Sequence, residues 1–89
     1  MEVVLTAGQL ADLHQRGEGF LFNDLRRIAS YRFWGTLHKV SCLQLVKMGV
    51  GSSWTNKYWF STRTQAVNWI NQQTDPYGRQ WRSCGRCNP

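Results

Sequence analysis

Cys84-Gly-Arg-Cys87 sets two thiols two residues apart in a chain whose only other cysteine is Cys42. Upstream, His38-Lys-Val-Ser-Cys42 places an imidazole four residues before that third thiol. Thiolate and imidazole are the donors that a tetrahedral zinc ion prefers. His38, Cys42, Cys84 and Cys87 therefore form a candidate four-ligand set, and a chain that uses it must fold its basic tail back over its middle. A C-x-x-C turn brings two thiols to one point, and Gly85 eases that turn. The other pair is harder to place. On a helical turn His38 and Cys42 are neighbours, but along a straight strand they stand about 13 Å apart, at ~3.3 Å per residue. Convergence requires a bend or a helical start, and Gly35-Thr36 is where the sequence offers one. His14 is the alternative fourth ligand. Two other fates stay open for the thiols: a Cys84–Cys87 disulfide, or a small buried Cys42 beside a disordered tail.

At 89 residues the chain makes one domain with a marginal apolar core, the size class in which a metal or crosslink often supplies the missing stability. Three cysteines cannot all pair within one molecule. Met1-Glu-Val-Val-Leu5 is too short for an export segment, and no apolar run reaches membrane-spanning length. The expectation is a cytoplasmic protein, where a C-x-x-C pair points to metal or redox chemistry before a structural disulfide.

Charge divides the chain. Residues 1–25 hold four acids against Arg16 alone, whereas residues 26–89 hold ten bases against Asp75 alone, for a net charge of +6. Such a balance favours a polyanion, or the acidic surface of another protein, as partner. Aromatic and guanidinium groups interleave in Tyr77-Gly-Arg-Gln-Trp-Arg82, with Arg86 following, and Arg26, Arg27 and Arg32 form a second cluster. Arginine pairs with phosphate bidentately, and an exposed indole stacks on an unpaired base. Arg26, Arg27, Arg79, Trp81, Arg82 and Arg86 are thus the candidate nucleic-acid contacts. Trp54 and Trp81 fall in loops, while Trp34, Trp59 and Trp69 are needed for the core of so small a chain.

The periodicity predicts an α+β domain: helices in residues 1–34, a hairpin plus helix in 37–73, and a basic cysteine-containing tail in 74–89. Val3-Val4-Leu5 reads as a short strand or apolar lead-in, and Thr6-Ala-Gly-Gln9 as a capping box for a helix through about Gln15. Arg16-Gly-Glu-Gly19 stops that helix. Asn23 or Asp24 caps a second helix over Leu25–Tyr31, with Phe20-Leu-Phe22 extended before it. Leu37–Met48 alternates as a long strand, and Lys57–Ser61 is its expected antiparallel partner across a Gly49–Ser53 loop. Thr62-Arg-Thr-Gln65 opens an amphipathic helix that carries Ala66, Trp69, Ile70 and Gln73 on one face. Asp75-Pro-Tyr-Gly78 is a turn.

Phe60-Ser-Thr-Arg-Thr-Gln-Ala-Val-Asn-Trp-Ile70 resembles the strand–cap–helix end, F-x-T-x-x-x-A-x-x-W-[I/L], of the small arm-binding domains of phage-type integrases. The resemblance implies a sheet entering the DNA major groove with a helix packed behind it. It also implies a protein of the kind that phages and other mobile elements encode.

Catalysis has no support in the motifs. The five acids are scattered, and there is no P-loop, dinucleotide fingerprint or nucleophile elbow. A redox role for Cys84 and Cys87 would need a helix start after a strand, which the tail does not offer. The function that follows is a non-catalytic nucleic-acid-binding accessory or regulatory protein with a structural zinc, its partner DNA before RNA. The alternative is an inhibitor that binds an acidic host protein.

Overall fold

Phe20–Asp24 is the centre of the fold, because both of its neighbours pair with it along its full length. A computed structural model describes residues 2–4, 7–42 and 56–87. In chain order the elements are β1 (Glu2–Val4), α1 (Ala7–Arg16), β2 (Phe20–Asp24), β3 (Gly35–Lys39), β4 (Asn56–Phe60), α2 (Arg63–Asn71) and β5 (Arg82–Ser83). The strands form one sheet in the order β1-β4-β2-β3-β5. β2 runs antiparallel to β3, from Phe20 opposite Lys39 to Asp24 opposite Gly35, and antiparallel to β4, from Phe20 opposite Phe60 to Asp24 opposite Asn56. β1 adds antiparallel to β4, and β5 adds parallel to β3.

Alternation along β2 sends successive side chains to opposite faces. Phe22 faces a cluster with Trp34, Leu37, Phe60 and, from α2, Ala66 and Ile70. Its ring meets Trp34 edge-on at 5.1 Å between centroids, with Trp69 at 6.0 Å and Trp81 at 6.4 Å. Leu21 points the other way, into a cluster with Leu10 of α1, Cys42 and Cys84. The two helices therefore cover opposite faces of the central strand.

Each helix has the cause expected of it. Leu10 and Leu13, three residues apart, are the buried stripe of α1, and Gly17, at φ 69°, closes it by donating to the Leu13 carbonyl at 3.1 Å. In α2, Thr62 is the N-cap and its hydroxyl accepts from the Gln65 amide at 3.2 Å. Gln65 Oε1 in turn accepts from the Ser61 hydroxyl at 2.6 Å. The Asp75–Gly78 turn forms as its sequence predicts, with Gly78 donating to the Asp75 carbonyl at 3.1 Å.

Three expectations are corrected. Leu25–Tyr31 is a chain of turns, not a helix, and Phe20–Asp24 before it is strand. The physical reason is Arg79. Its guanidinium donates to the carbonyls of Ile28 at 2.7 Å, Tyr31 at 2.9 Å and Arg26 at 3.3 Å, using acceptors that a helix would need for itself. The strand expected over Leu37–Met48 starts at Gly35 and ends at Lys39. Lys57–Ser61 does not pair with it: β4 lies between β1 and β2. The tail contributes a strand, β5, where no periodicity announced one. Thr6, residues 43–48, the Gly49–Ser53 loop and Trp54 lie outside the described residues.

Gly35 stands where the Phe22 ring crosses the sheet, and a Cβ there would overlap that ring. Gly35→Ala is expected to destabilise the protein by about 1–3 kcal/mol, the usual cost of overpacking, as a lower midpoint in urea unfolding.

Asp75 supplies a pH prediction. The Arg79 guanidinium holds its carboxyl at about 2, below the ordinary 3.8. The folded state is thus favoured by this pair above the ordinary carboxyl range, and that advantage is lost as pH falls from about 4 to about 2. The gap in melting temperature between the wild type and Asp75→Asn is expected to be full near neutrality and to close across that window.

Candidate metal centre

β3 carries His38 opposite Leu21, and so on the α1 side of the sheet. One residue later the strand stops. Val40 donates to the Gly19 carbonyl at 3.1 Å, and Cys42 donates to the Lys39 carbonyl at 2.9 Å, which closes a turn and swings Cys42 back towards His38. His14 reaches across from α1, its Nδ1 2.9 Å from the Val40 carbonyl. The bend that the four-ligand set requires is therefore at Lys39–Cys42, after the histidine, and not at Gly35-Thr36. His14 braces that bend and is not one of the clustered ligands.

β5 approaches from the other side. Arg82 lies opposite Thr36, so alternation puts Thr36, His38, Arg82 and Cys84 on one face. Cys84 donates to the Leu37 carbonyl at 2.8 Å, extending the parallel pairing by one bond. The chain then turns at Gly85-Arg86-Cys87. Cys87 Sγ accepts from the Lys39 amide at 3.3 Å.

These two bends bring His38, Cys42, Cys84 and Cys87 together, with ligand atoms all within 4.8 Å of one another, close enough to hold a metal ion. Cys42 Sγ and Cys84 Sγ are 3.9 Å apart, and all three cysteines are free thiols. Two thiolates bound tetrahedrally at ~2.3 Å from zinc would stand about 3.8 Å apart. The disulfide alternative does not describe this arrangement.

The electrostatics fit a ligand set. His38 is 2 % exposed, and neither ring nitrogen has a hydrogen-bond partner among the described residues. An unpaired buried polar atom costs about 1–3 kcal/mol, and an ion bound to one nitrogen removes part of that cost. Burial, reinforced by the Arg82 charge, pulls His38 down to about 4, which leaves a neutral imidazole with a lone pair to give. Burial acts to raise Cys84, but backbone N–H bonds from Arg86 and Cys87, together with side-chain bonds to Cys87 and Cys42, outweigh it and lower the thiol below its usual value. Cys87 is pushed up to about 12, first by burial and then by its crowding against Cys42 and Cys84. Three sulfurs packed this closely need a cation to ionise together.

The candidate nucleic-acid residues separate into two groups. Arg26 pairs with Asp24 at 2.6 Å, sits 5.0 Å over the Trp34 ring, and reaches the Thr74 carbonyl at 3.2 Å. Arg79 pairs with Asp75 at 2.9 Å besides its three carbonyls. Trp81 is half-buried against the Phe22 cluster. Arg26, Arg79 and Trp81, expected as nucleic-acid contacts, are each engaged within the fold. Arg27, Arg82 and Arg86 are exposed.

Arg82 and Arg86 line a cleft of about 530 Å³ with Tyr31, Arg32, Phe33 and His38, and no acidic residue lines it. Phe33 and Tyr31 had no place among the expected contacts, since nothing in their spacing says that the 25–34 connection folds beside the tail. Arg32 was visible only as part of a basic cluster. No protein-family model matches the chain, and neither a curated protein nor a solved structure matches it.

Purified, reduced protein is expected to retain one ion per chain through dialysis. Cobalt(II) should give the intense visible bands of a tetrahedral site with sulfur ligands. His38→Ala or Cys84→Ser is expected to weaken retention by more than about 100-fold, beyond the usual effect of losing a supporting hydrogen bond. A wild-type protein that folds but gives no such bands would show that the four side chains do not act as one ligand set.

Proposed function

We propose that the protein is a small non-catalytic nucleic-acid-binding domain, held by a structural zinc, that serves as an accessory or regulatory factor. Zinc is the ion that a set of three thiols and one imidazole favours, and four protein ligands leave no open coordination position for chemistry. No helix among the described residues is long and apolar enough to cross a membrane.

The observation that carries the reading is where the charge is left over. Asp12, Asp24 and Asp75 are paired with Arg16, Arg26 and Arg79. Arg27, Arg32, Arg82 and Arg86 are exposed and form no ion pair among the described residues. Exposed arginines without carboxylates are suited to phosphate, which their fork meets with two parallel bonds. Helices and their clusters cover both faces of the central strand, so this arginine surface, rather than the sheet face that the integrase resemblance implies, is the contact we assign to DNA.

Fluorescence anisotropy with labelled duplex and single-stranded DNA over a range of salt tests it. The double variant Arg82→Ala, Arg86→Ala should bind about tenfold or more weakly, with a salt slope smaller by about 2, one for each lost phosphate contact. A folded wild type that binds neither form would reject this reading and move the partner to an acidic protein surface.

A further inference from the structure

The cleft beside the metal centre has a composition that general phosphate attraction does not explain. Arg32 and Arg82 both lie against the Phe33 ring, their guanidinium carbons 5.7 and 5.5 Å from its centre. Arg86 is a third arginine in the lining, and no carboxylate is among the lining residues to offset them. Bringing like charges to one ring costs free energy unless an anion enters between them. Tyr31 adds a second aromatic ring that is 49 % exposed. The volume, about 530 Å³, falls within the range of pockets that hold a small organic ligand (roughly 300–1,000 Å³).

Building on the nucleic-acid reading, we propose that this cleft holds one unpaired nucleotide of a single strand, its phosphate among Arg32, Arg82 and Arg86 and its base against Phe33 and Tyr31. Unpaired bases stack on aromatic rings and guanidinium planes alike. A paired base keeps its faces inside the duplex and cannot use those rings. The cleft thus converts a charge preference for any nucleic acid into a preference for single strands.

Both walls are braced in advance. On one side Arg79 fixes the Ile28 and Tyr31 carbonyls. On the other, Arg86 sits between Cys84 and Cys87, and its backbone N–H together with that of Cys87 bonds Cys84 Sγ. His38 is shared, being both a member of the ligand cluster and part of the cleft lining. Pre-placed walls lower the ordering cost of binding, and the tie to His38 and Cys84 makes the cleft an extension of the metal centre.

The test uses the zinc-loaded 89-residue protein, a fluorescein-labelled twelve-nucleotide oligo-dT, and a hairpin duplex of equal charge. Wild type should bind oligo-dT more tightly than the duplex by about fivefold or more, the effect of one stacked base. The double variant Tyr31→Ala, Phe33→Leu should bring that ratio near one while duplex affinity stays within about twofold. In parallel, amide shifts of the unmutated protein titrated with oligo-dT should cluster at residues 31–33 and 82–86. Equal affinities in the wild type, a ratio unmoved by the variant, or shifts centred elsewhere would each overturn the cleft assignment and leave the nucleic-acid reading standing. Loss of all binding in the wild type would remove both.

Discussion

One guanidinium sets the geometry of the connection between β2 and β3. Arg79 has only 10 % of its side chain exposed and Asp75 only 1 %, so their pairing happens largely away from water. Removing two charges from solvent is costly, and a buried pair holds only when its remaining donors are used. Here they are: the same guanidinium supplies the carbonyls of Arg26, Ile28 and Tyr31. The connection between β2 and β3 is thus built on polar bonds, with Trp34 as its apolar anchor. Trp34 donates to the Gln80 carbonyl at 3.0 Å, so the segment that carries Arg79 and the segment it holds are tied at a second point. Arg26 does a similar service, joining the end of β2 to Gln73 and Thr74 beyond α2.

This explains which parts of the fold could be read from the residues alone. The cap at Thr62, the face of Ala66 and Ile70, the stop at Gly17 and the turn at Asp75–Gly78 are local, decided by side chains a few positions apart. The class was legible from these local elements, and the four clustered side chains for a different reason: only three cysteines and two histidines had to be placed. Leu25–Tyr31 was not legible, because its conformation depends on an arginine some fifty positions later. The pairing of β4 was not legible either. Period-two patterns say that a strand has two faces but leave its neighbours unspecified, and the nearest candidate in sequence was not the neighbour chosen.

The arginines carry the same lesson for function. Arg26, Arg79, Arg82 and Arg86 look alike as letters, yet two are joined to aspartates and carbonyls within the fold and two are exposed. Composition counts charge, while only burial and partners decide which charge is left for another molecule. Arg32 and Phe33 line the cleft only because a fold-back brings the 25–34 connection to the Cys84 turn.

The candidate metal centre joins sequence-distant halves: Cys42 and Cys84 lie 42 positions apart. The Cys84–Cys87 turn is local and can greet an ion by itself, but His38 and Cys42 converge only after β3 has paired and its end has bent. A complete coordination shell therefore exists only in a chain whose sheet is formed. By mass action, an ion that binds the folded form and not the unfolded one raises folding stability in step with its free concentration. Ambient metal would then act as a rheostat for β3 and β5, and the occupancy of a single small site would report on the integrity of the sheet.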